Sequence, residues 1–312
     1  MDLIARYFGD RTQAEPGQLV ANPDVENPLS FQLLFPESLD LDADGLTLAM
    51  RTYHPDLARA QVEIDTLQDP QAAESVAEII PNSPVSPGLI GLAGWDQHVV
   101  QIIGINAPIP EAVLEATVAP GHYPQELKAL AAEHQSHVLL FYAGYDPDPV
   151  EQYVALGVVS AALARFGAIL ILNEAARASI PAGMIAPDEG DEDLLALLRD
   201  LPIPLLYGGF VKMEDDEEPG VWMRTFGNPL MGLPDLAHRA PSHEQGSFVF
   251  DLFTNVLDYL RKSGKQFAPG DRLTLGDDVE MEVRLAREDE PFLLSMGEMF
   301  VLEMRLKSRD AT

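Results

Sequence analysis

The sequence has 312 residues, of which 46% are hydrophobic, so it is long enough for a sizeable core and favours two domains. Its formal net charge of -30 repels phosphate groups, so we expect it to bind neither nucleic acids nor anionic membranes. The chain has no Cys, which excludes disulfide bonds, thiolate catalysis and Cys-ligated metals. We find neither a signal peptide nor an apolar run long enough to span a membrane, and therefore expect a cytoplasmic protein.

The first part of the chain predicts an arm followed by strands and helices. Residues 1–30 are rich in Pro, Asn, Asp and Gly and are interpreted as an N-terminal arm. Apolar runs at 89–93 and 98–105 flank a turn-forming tetrapeptide, which predicts a β-hairpin. Pro110 and Pro124 suit the first turn of a helix, so a helix is expected to begin at each of them.

The middle of the chain, residues 137–174, predicts a strand, a helix and a second strand. HVLLFYAG and AILILNEA are short apolar runs typical of buried strands. The helix between them begins after the acidic residues 146–148 and ends near Gly167, a good residue for a helix C-terminus. Apolar residues nearly encircle this helix, so we expect it to be buried on most sides. The segment is interpreted as a βαβ unit with parallel strands.

The last part of the chain predicts more strands around one long helix. Two strands joined by an acidic turn are expected over 205–226. An amphipathic helix is expected to begin after Ser242 and to end at Gly264, with an apolar face from Phe248 to Leu260. Two β-hairpins follow, one turning at 276–278 and the other near Gly297.

The order of these elements predicts the fold class. Helices lie between groups of strands, so we predict an α+β fold in which mixed sheets carry helices on one face. This order is also compatible with two related α/β halves. The predicted domains are an arm (1–30), an N-terminal α/β domain (31–135) and a C-terminal α+β domain (136–312).

The best candidate site is the stretch RTFGNPLMGLPDLAHRAPSH, residues 224–243. The sequence has no phosphate-binding loop, no HExxH zinc motif and no GxSxG nucleophile motif. Gly and Pro in this stretch predict tight turns, and functional residues concentrate on loops that a scaffold holds in place. The candidate residues here are Arg224, Thr225, Asn228, Asp235, His238 and His243.

The stretch has two interpretations. In the first, His238 acts as a general base that Asp235 orients, and the loop is the active site of a hydrolase or a metal-assisted enzyme. In the second, it is only a connection between a strand and a helix, in which Asp and Ser side chains cap helices and the histidines bond to the backbone. The sequence alone leaves both open.

Other polar and aromatic residues are also candidates for a site. Glu174 follows the second strand of the βαβ unit, at the sheet edge where ligands bind in open α/β folds. Trp222 is expected either to line a pocket or to pack in the core. His134 and His137 are three residues apart, but the predicted change from helix to strand between them breaks the geometry of a metal site. We therefore predict no metal and no cofactor.

Two segments of the chain resemble a known family. DPVEQYVALGVVSAALARFGAILILNEA and the later IPLLYGGFVKME and GVWMRTFGNPLMGLPDLA are similar to the bacterial domain-of-unknown-function 4261 family. The similarity rests on the order of strand, Ala-rich helix, strand and strand pair, and on a turn that contains Thr225, Gly227, Gly232 and Asp235. It covers about residues 135–300. The resemblance implies an α+β fold and no established activity.

These observations favour a non-enzymatic binding protein whose acidic surface attracts a basic protein partner. Residues 1–164 contain five basic residues against 23 acidic ones, so the charge is most negative in this half. The first alternative is the enzyme described above. A second alternative is a stress or immunity-type protein that neutralises a basic effector. The sequence predicts no particular oligomeric state.

Overall fold

The structure is a computed structural model that describes residues 7, 18–67, 88–186, 193–214, 219–275 and 279–306. These residues form six α-helices and thirteen strands in two sheets, so the predicted α+β fold with mixed sheets is confirmed. Internal contacts divide the chain into two units. Unit 1 comprises Met1–Glu174 and Ser179–Leu201, and unit 2 comprises Ala175–Ala178 and Pro202–Thr312.

The predicted domain boundary after residue 135 falls inside unit 1. The strand that begins at Ser136 is the middle strand of the sheet in that unit, so a boundary there would cut the sheet in two. Most of the predicted arm, residues 1–6 and 8–17, lies outside the described residues.

The sheet of unit 1 has the strand order β2-β3-β4-β5-β1-β6-β7. Neighbouring strands from β2 to β6 all pair antiparallel. Its strands are β1 (Ser30–Phe35), β2 (Gln61–Thr66), β3 (Leu89–Trp95), β4 (His98–Ile105), β5 (Ser136–Tyr142), β6 (Leu170–Asn173) and β7 (Ala178–Pro181).

The predicted βαβ unit is formed, but its two strands are not neighbours. Both β5 and β6 pair antiparallel to β1, which lies between them, so they run in the same direction without sharing hydrogen bonds. The predicted parallel direction of the two strands is therefore confirmed, and the strand that lies between them comes from more than 100 residues earlier in the chain. No local pattern indicates such a long-range pairing.

Among the described residues, five helices belong to unit 1. They are α1 (Ala43–Tyr53), α2 (Glu111–Thr117), α3 (Gln125–Ala132), α4 (Pro149–Ala164) and α5 (Leu194–Arg199). The prolines predicted to open α2 and α3 directly precede those helices. Helix α4 packs on β1, β4 and β5, while α2 and α3 pack with Leu34, Leu170 and Leu172 on the other face. Helices therefore cover both faces of this sheet, in contrast to the single face that was predicted.

Helix α4 is the buried helix that the sequence predicted. Twelve of its sixteen residues are buried, so neighbours enclose it on nearly every side. The Asp148 carboxylate accepts a hydrogen bond of 2.9 Å from the Val150 N–H and caps the helix, and Pro149 occupies its first turn. The phenol ring of Tyr153 stacks on Phe31 of β1 at 5.4 Å between ring centres, which fixes α4 against the sheet.

The predicted hairpin at 94–97 is also confirmed. Strands β3 and β4 are joined by only Asp96 and Gln97. Asp96 has a φ of 47°, in the left-handed region that Asp tolerates better than most residues. The tight turn holds the adjacent side chains of Trp95 and His98 in fixed positions.

The described residues of unit 2 form a sheet of order β11-β12-β13-β10-β9-β8 and one helix, α6 (Gly246–Ser263). The sheet is mixed, because β10 and β13 pair in parallel and the other pairs are antiparallel. The apolar side of α6 packs on one face of the sheet. The strands are β8 (Gly209–Glu214), β9 (Val221–Phe226), β10 (Asp235–Ala240), β11 (Arg272–Leu275), β12 (Val279–Leu285) and β13 (Met299–Leu306).

One of the two predicted C-terminal hairpins is present. Strands β11 and β12 form the first, although its turn at 276–278 lies outside the described residues. The second, turning near Gly297, was wrong: residues 291–293 form a short 3-10 turn. Strand β13 already pairs with β12 on one side and β10 on the other, so no edge is left for another strand.

We expect the substitution Asp148→Ala to lower the free energy of unfolding by about 1 kcal/mol, because the N-cap hydrogen bond of α4 is lost. Chemical denaturation measures this change. Glu115→Ala is the matched control, since Glu115 lies exposed in the middle of α2, and a change within about 0.5 kcal/mol is expected. Equal effects of the two substitutions would contradict the capping role of Asp148.

Candidate functional site

The predicted loop at 224–243 is for the most part regular structure. Arg224 and Thr225 lie in β9, Asn228 opens a 3-10 turn, and Asp235 is the first residue of β10. The expectation that Asp235 caps a helix was wrong. Residues 235–240 extend instead because they fill the slot between β9 and β13, where their backbone groups find partners on both sides.

The Asp235 carboxylate lies at the centre of a buried network. Its Oδ2 accepts a hydrogen bond of 2.6 Å from the Ser295 hydroxyl. Its Oδ1 accepts bonds of 3.3 Å from the Thr225 hydroxyl and from the backbone N–H of Asn228. The Asn228 side-chain amide in turn donates to the Thr225 hydroxyl at 2.8 Å. The network thus ties the end of β9 and the following turn to the start of β10.

Arg224 is fully buried beside this network and holds a second segment in place. Its Nη1 donates to the carbonyl oxygens of Phe292 at 2.7 Å and of Leu294 at 2.9 Å. Its guanidinium carbon lies 3.8 Å from the centre of the Phe226 ring, a cation–π contact. Together with the bond from Ser295 to Asp235, these contacts fasten residues 291–297, here called the strap, across one face of the sheet.

The charges of Arg224 and Asp235 are stabilised only in part. Arg224 Nη2 lies 3.8 Å from Asp235 Oδ2, too far for a hydrogen bond, and has no hydrogen-bond partner among the described residues. Burial lowers the pKa of Arg224 to about 10 and raises that of Asp235, although each group attracts the other. Desolvation thus outweighs attraction in both residues.

Asp235 does not orient His238. Side chains alternate along a strand, so residues 235 and 238 point to opposite faces of β10. His238 is buried, its Nδ1 lies 2.8 Å from the carbonyl oxygen of Leu302, and its Nε2 has no hydrogen-bond partner among the described residues. Burial lowers its pKa, so the ring is neutral at pH 7. The arrangement of base and acid that the sequence suggested is not formed.

The other sequence candidates are dispersed. The exposed His243 Nε2 lies 2.8 Å from Glu214 Oε1. Trp222 is buried, with its ring centre 5.5 Å from that of Phe292 in the strap. Glu174 is exposed and accepts a hydrogen bond of 2.9 Å from the Gln32 side chain. The reason for choosing Glu174 no longer holds, because β6 pairs antiparallel with β1 and the sheet is not an open parallel one.

His134 and His137 are structural. His134 Nε2 accepts a hydrogen bond of 2.7 Å from the Ile109 N–H, and its Nδ1 lies 2.7 Å from the Ala131 carbonyl oxygen. His137 Nδ1 lies 2.7 Å from the Ala107 carbonyl oxygen. In the part of the chain that the structure describes, no group of three or more His, Asp or Glu residues is placed to hold a metal ion.

A cleft of about 650 Å³ in unit 1 is the better candidate site. Its walls are the turn that follows α1, the tip of the β3–β4 hairpin, the first turns of α4, and α5. The buried lining residues are apolar: Trp95, Val154 and Leu195. The cleft therefore combines an apolar interior with polar groups nearer to solvent, as binding sites for organic ligands do.

Two ion pairs stand among the polar lining residues. Arg199 donates through Nε and Nη2 to the two carboxylate oxygens of Glu151, at 2.8 and 2.9 Å. Arg59 Nη2 donates to Asp96 Oδ1 at 2.5 Å, and the Arg59 side chain is 83% exposed. A third carboxylate, that of Asp56, is 70% exposed. Carboxylates thus outnumber guanidinium groups in the cleft.

His98 is the polar ring of this cleft. Its Nδ1 lies 3.4 Å from the Tyr142 hydroxyl, and its ring centre is 5.1 Å from that of Trp95. No hydrogen bond reaches its Nε2 from the described residues, so this atom can bond to a ligand. Burial lowers the pKa of His98 more than Asp146, Glu151 and Asp96 raise it, and the ring is neutral at pH 7.

Sequence reasoning missed this site because its residues are far apart in the chain. They come from positions near 56, 96, 151 and 199, and none belongs to a motif. One signal was present: a two-residue turn flanked by Trp95 and His98 must expose an acidic tip between two ring side chains.

Comparisons with protein-family models, with curated proteins and with solved structures each gave no match. The resemblance to the domain-of-unknown-function 4261 family therefore stays a prediction. Among the described residues, no helix is long and apolar enough to cross a membrane.

We expect Asp235→Asn to lower the free energy of unfolding by about 3 kcal/mol or more, because Arg224 would remain buried without its counter-charge. Urea denaturation measures the loss. Asp251→Asn makes the same chemical change on the exposed side of α6 and should alter stability by less than about 0.5 kcal/mol. A similarly small effect at Asp235 would show that the network carries little of the stability of unit 2.

We also expect the fold to lose stability in mild acid. Burial lowers the pKa of His98, His134, His137 and His238 below the usual 6.5, and such groups add stability that is lost as the pH falls below that value. Asp235 acts in the opposite direction, because its pKa is raised, but it is one group against four. The free energy of unfolding should therefore be smaller at about pH 5.5 than at about pH 7.5.

Urea denaturation at these two pH values checks this expectation. The pH-dependent difference should shrink in His137→Gln, whatever the stability of that variant at neutral pH. A wild-type stability that stays constant or rises toward acid would contradict the role given to the buried histidines.

Proposed function

We propose that the chain is a non-enzymatic binding protein for a basic protein partner, and that unit 1 contains the binding site. The observation that carries this proposal is the cleft, which combines an apolar interior with an excess of carboxylates. The net charge of -30 supports the same partner, since opposite charges steer association and speed it.

The cleft favours binding over covalent catalysis. Among the described residues that line it there is no Ser, Thr, Lys or Cys that could act as a nucleophile. Of the lining groups that could act as a base, the Glu151 carboxylate accepts hydrogen bonds from Arg199 on both oxygens, and no Ser, Thr, Lys or Cys lies in the described lining beside the others, Asp56, Asp96 and His98. The hydrolase alternative at 224–243 loses its main support, because Asp235 and His238 lie on opposite faces of β10.

The stress or immunity-type alternative is a special case of the proposed function. A protein that neutralises a basic effector would use the same acidic surface and the same cleft. The identity of the partner distinguishes the special case from the general one, and the charge of the partner is common to both.

We expect the purified chain to bind basic proteins with an affinity that rises with the positive charge of the partner and falls with salt. Biosensor titrations of a basic and an acidic protein of equal size, at about 50 mM and about 300 mM salt, measure both trends. Equal affinity for the two proteins, or no binding to the basic one at the lower salt concentration, would contradict the proposed function.

A further inference from the structure

We propose that the cleft of unit 1 takes the side chain of an arginine or lysine that the basic partner presents. The inference rests on the proposed function and adds the chemical group that is recognised and the residues that recognise it. Arg and Lys side chains have an apolar stem and a cationic tip. The cleft offers buried apolar surface from Trp95, Val154 and Leu195, and carboxylates nearer to solvent.

The size of the cleft suits such an occupant. A volume of about 650 Å³ lies within the usual range for ligand pockets, and it accommodates one long side chain with the backbone that carries it. The rings of Trp95 and His98, 5.1 Å apart between centres, provide aromatic surface next to the carboxylates. Aromatic surface beside carboxylates favours a cation that has been partly stripped of water.

The carboxylates differ in their capacity to accept a new cation. Both oxygens of Glu151 already accept a hydrogen bond from Arg199. Asp96 uses one oxygen for Arg59 and has the other available. The Asp56 carboxylate accepts no hydrogen bond from the described residues, because the nearby His54 Nδ1, 3.5 Å away, itself accepts the Asp56 backbone N–H. The structure therefore assigns the cation to Asp56 and Asp96.

Arg59 then competes with the cation of the partner for the Asp96 carboxylate. Its guanidinium group contacts the cleft only through Asp96 among the described residues, and the side chain is 83% exposed. An exposed ion pair of this kind contributes little to stability, so a cation from the partner can displace Arg59 from Asp96. Removal of Arg59 should consequently improve binding, whereas removal of the carboxylates should weaken it.

The two tryptophans of the chain give a direct readout, because Trp95 lines the cleft and Trp222 lies in unit 2. Chain labelled with 5-fluorotryptophan has two fluorine resonances, which Trp→Phe variants assign. The probe is a capped Gly/Ser peptide with one central arginine. Matched peptides carry lysine, neutral citrulline or norleucine at the same position. We expect the arginine and lysine peptides to shift the Trp95 resonance and leave that of Trp222 unchanged.

We expect substitutions of the two carboxylates and of Arg59 to change the affinity for the arginine peptide in opposite directions. Asp56→Asn and Asp96→Asn should each weaken arginine-peptide binding by about two- to fivefold, and Arg59→Gln should tighten it by a similar factor. Asn tolerates the positive φ of residue 96, so that variant keeps the turn. Asp251→Asn and Lys262→Gln make the same changes of charge at exposed sites in unit 2 and should leave the affinity nearly unchanged.

Several outcomes would overturn the inference. They are an equal response to the citrulline peptide, a Trp95 resonance that does not move, and a response to free agmatine or spermidine without one to the peptides. If only the Trp222 resonance shifts, or if the cleft variants bind as the wild type does, the proposed basic partner binds outside the cleft and the inference is wrong. Failure of every basic protein and peptide to bind would remove the proposed function as well.

Discussion

The insertion of β1 between β5 and β6 is the constraint on which unit 1 depends. Six residues of β1 pair with β5 on one side, and three of them pair with β6 on the other. This position forces the chain to cross over β1 as it passes from β5 to β6, and α4 is the crossing segment. The helix is buried because it lies over the middle of the sheet, and its first turns reach the wall of the cleft.

Charged groups have different roles in the two units. In unit 2 the charges of Arg224 and Asp235 are buried, and their hydrogen bonds hold a turn and the strap. In the cleft of unit 1 the charges are exposed or half exposed, and they can exchange partners at little energetic cost. The first arrangement makes a structure specific, and the second leaves a surface open to another molecule. Arg224 and Asp235, which the sequence indicated as site residues, belong to the buried arrangement.

Local signals in the sequence predicted the elements well where neighbours in the chain decide the structure. The β3–β4 hairpin, the two helices that follow prolines and the buried helix α4 all depend on turns, caps and periodicity within a few residues. Long-range pairing decided the rest. The sequence PDLAHRA reads as the start of a helix, yet it forms β10 because β9 and β13 supply hydrogen bonds on both sides.

The candidate site was less predictable than the fold. The buried network at 224–235 was visible as an unusual cluster of residue types, but its burial depends on the strap, which lies some 60 residues later in the sequence. The cleft was not visible, because ordinary charged residues from four separate segments form it. A single sequence does not indicate which of its many carboxylates meet in space.

The parallel pairing of β10 with β13 also sets the order in which unit 2 can form. Strand β10 can pair with β9 early, because the two are close in sequence, whereas β13 and the strap must first be brought back past α6, β11 and β12. The strap supplies contacts that cover Arg224 and Asp235, so the desolvation of the two residues requires this return of the chain. Substitutions in the network should therefore act mainly on the rate of unfolding and little on the rate of folding.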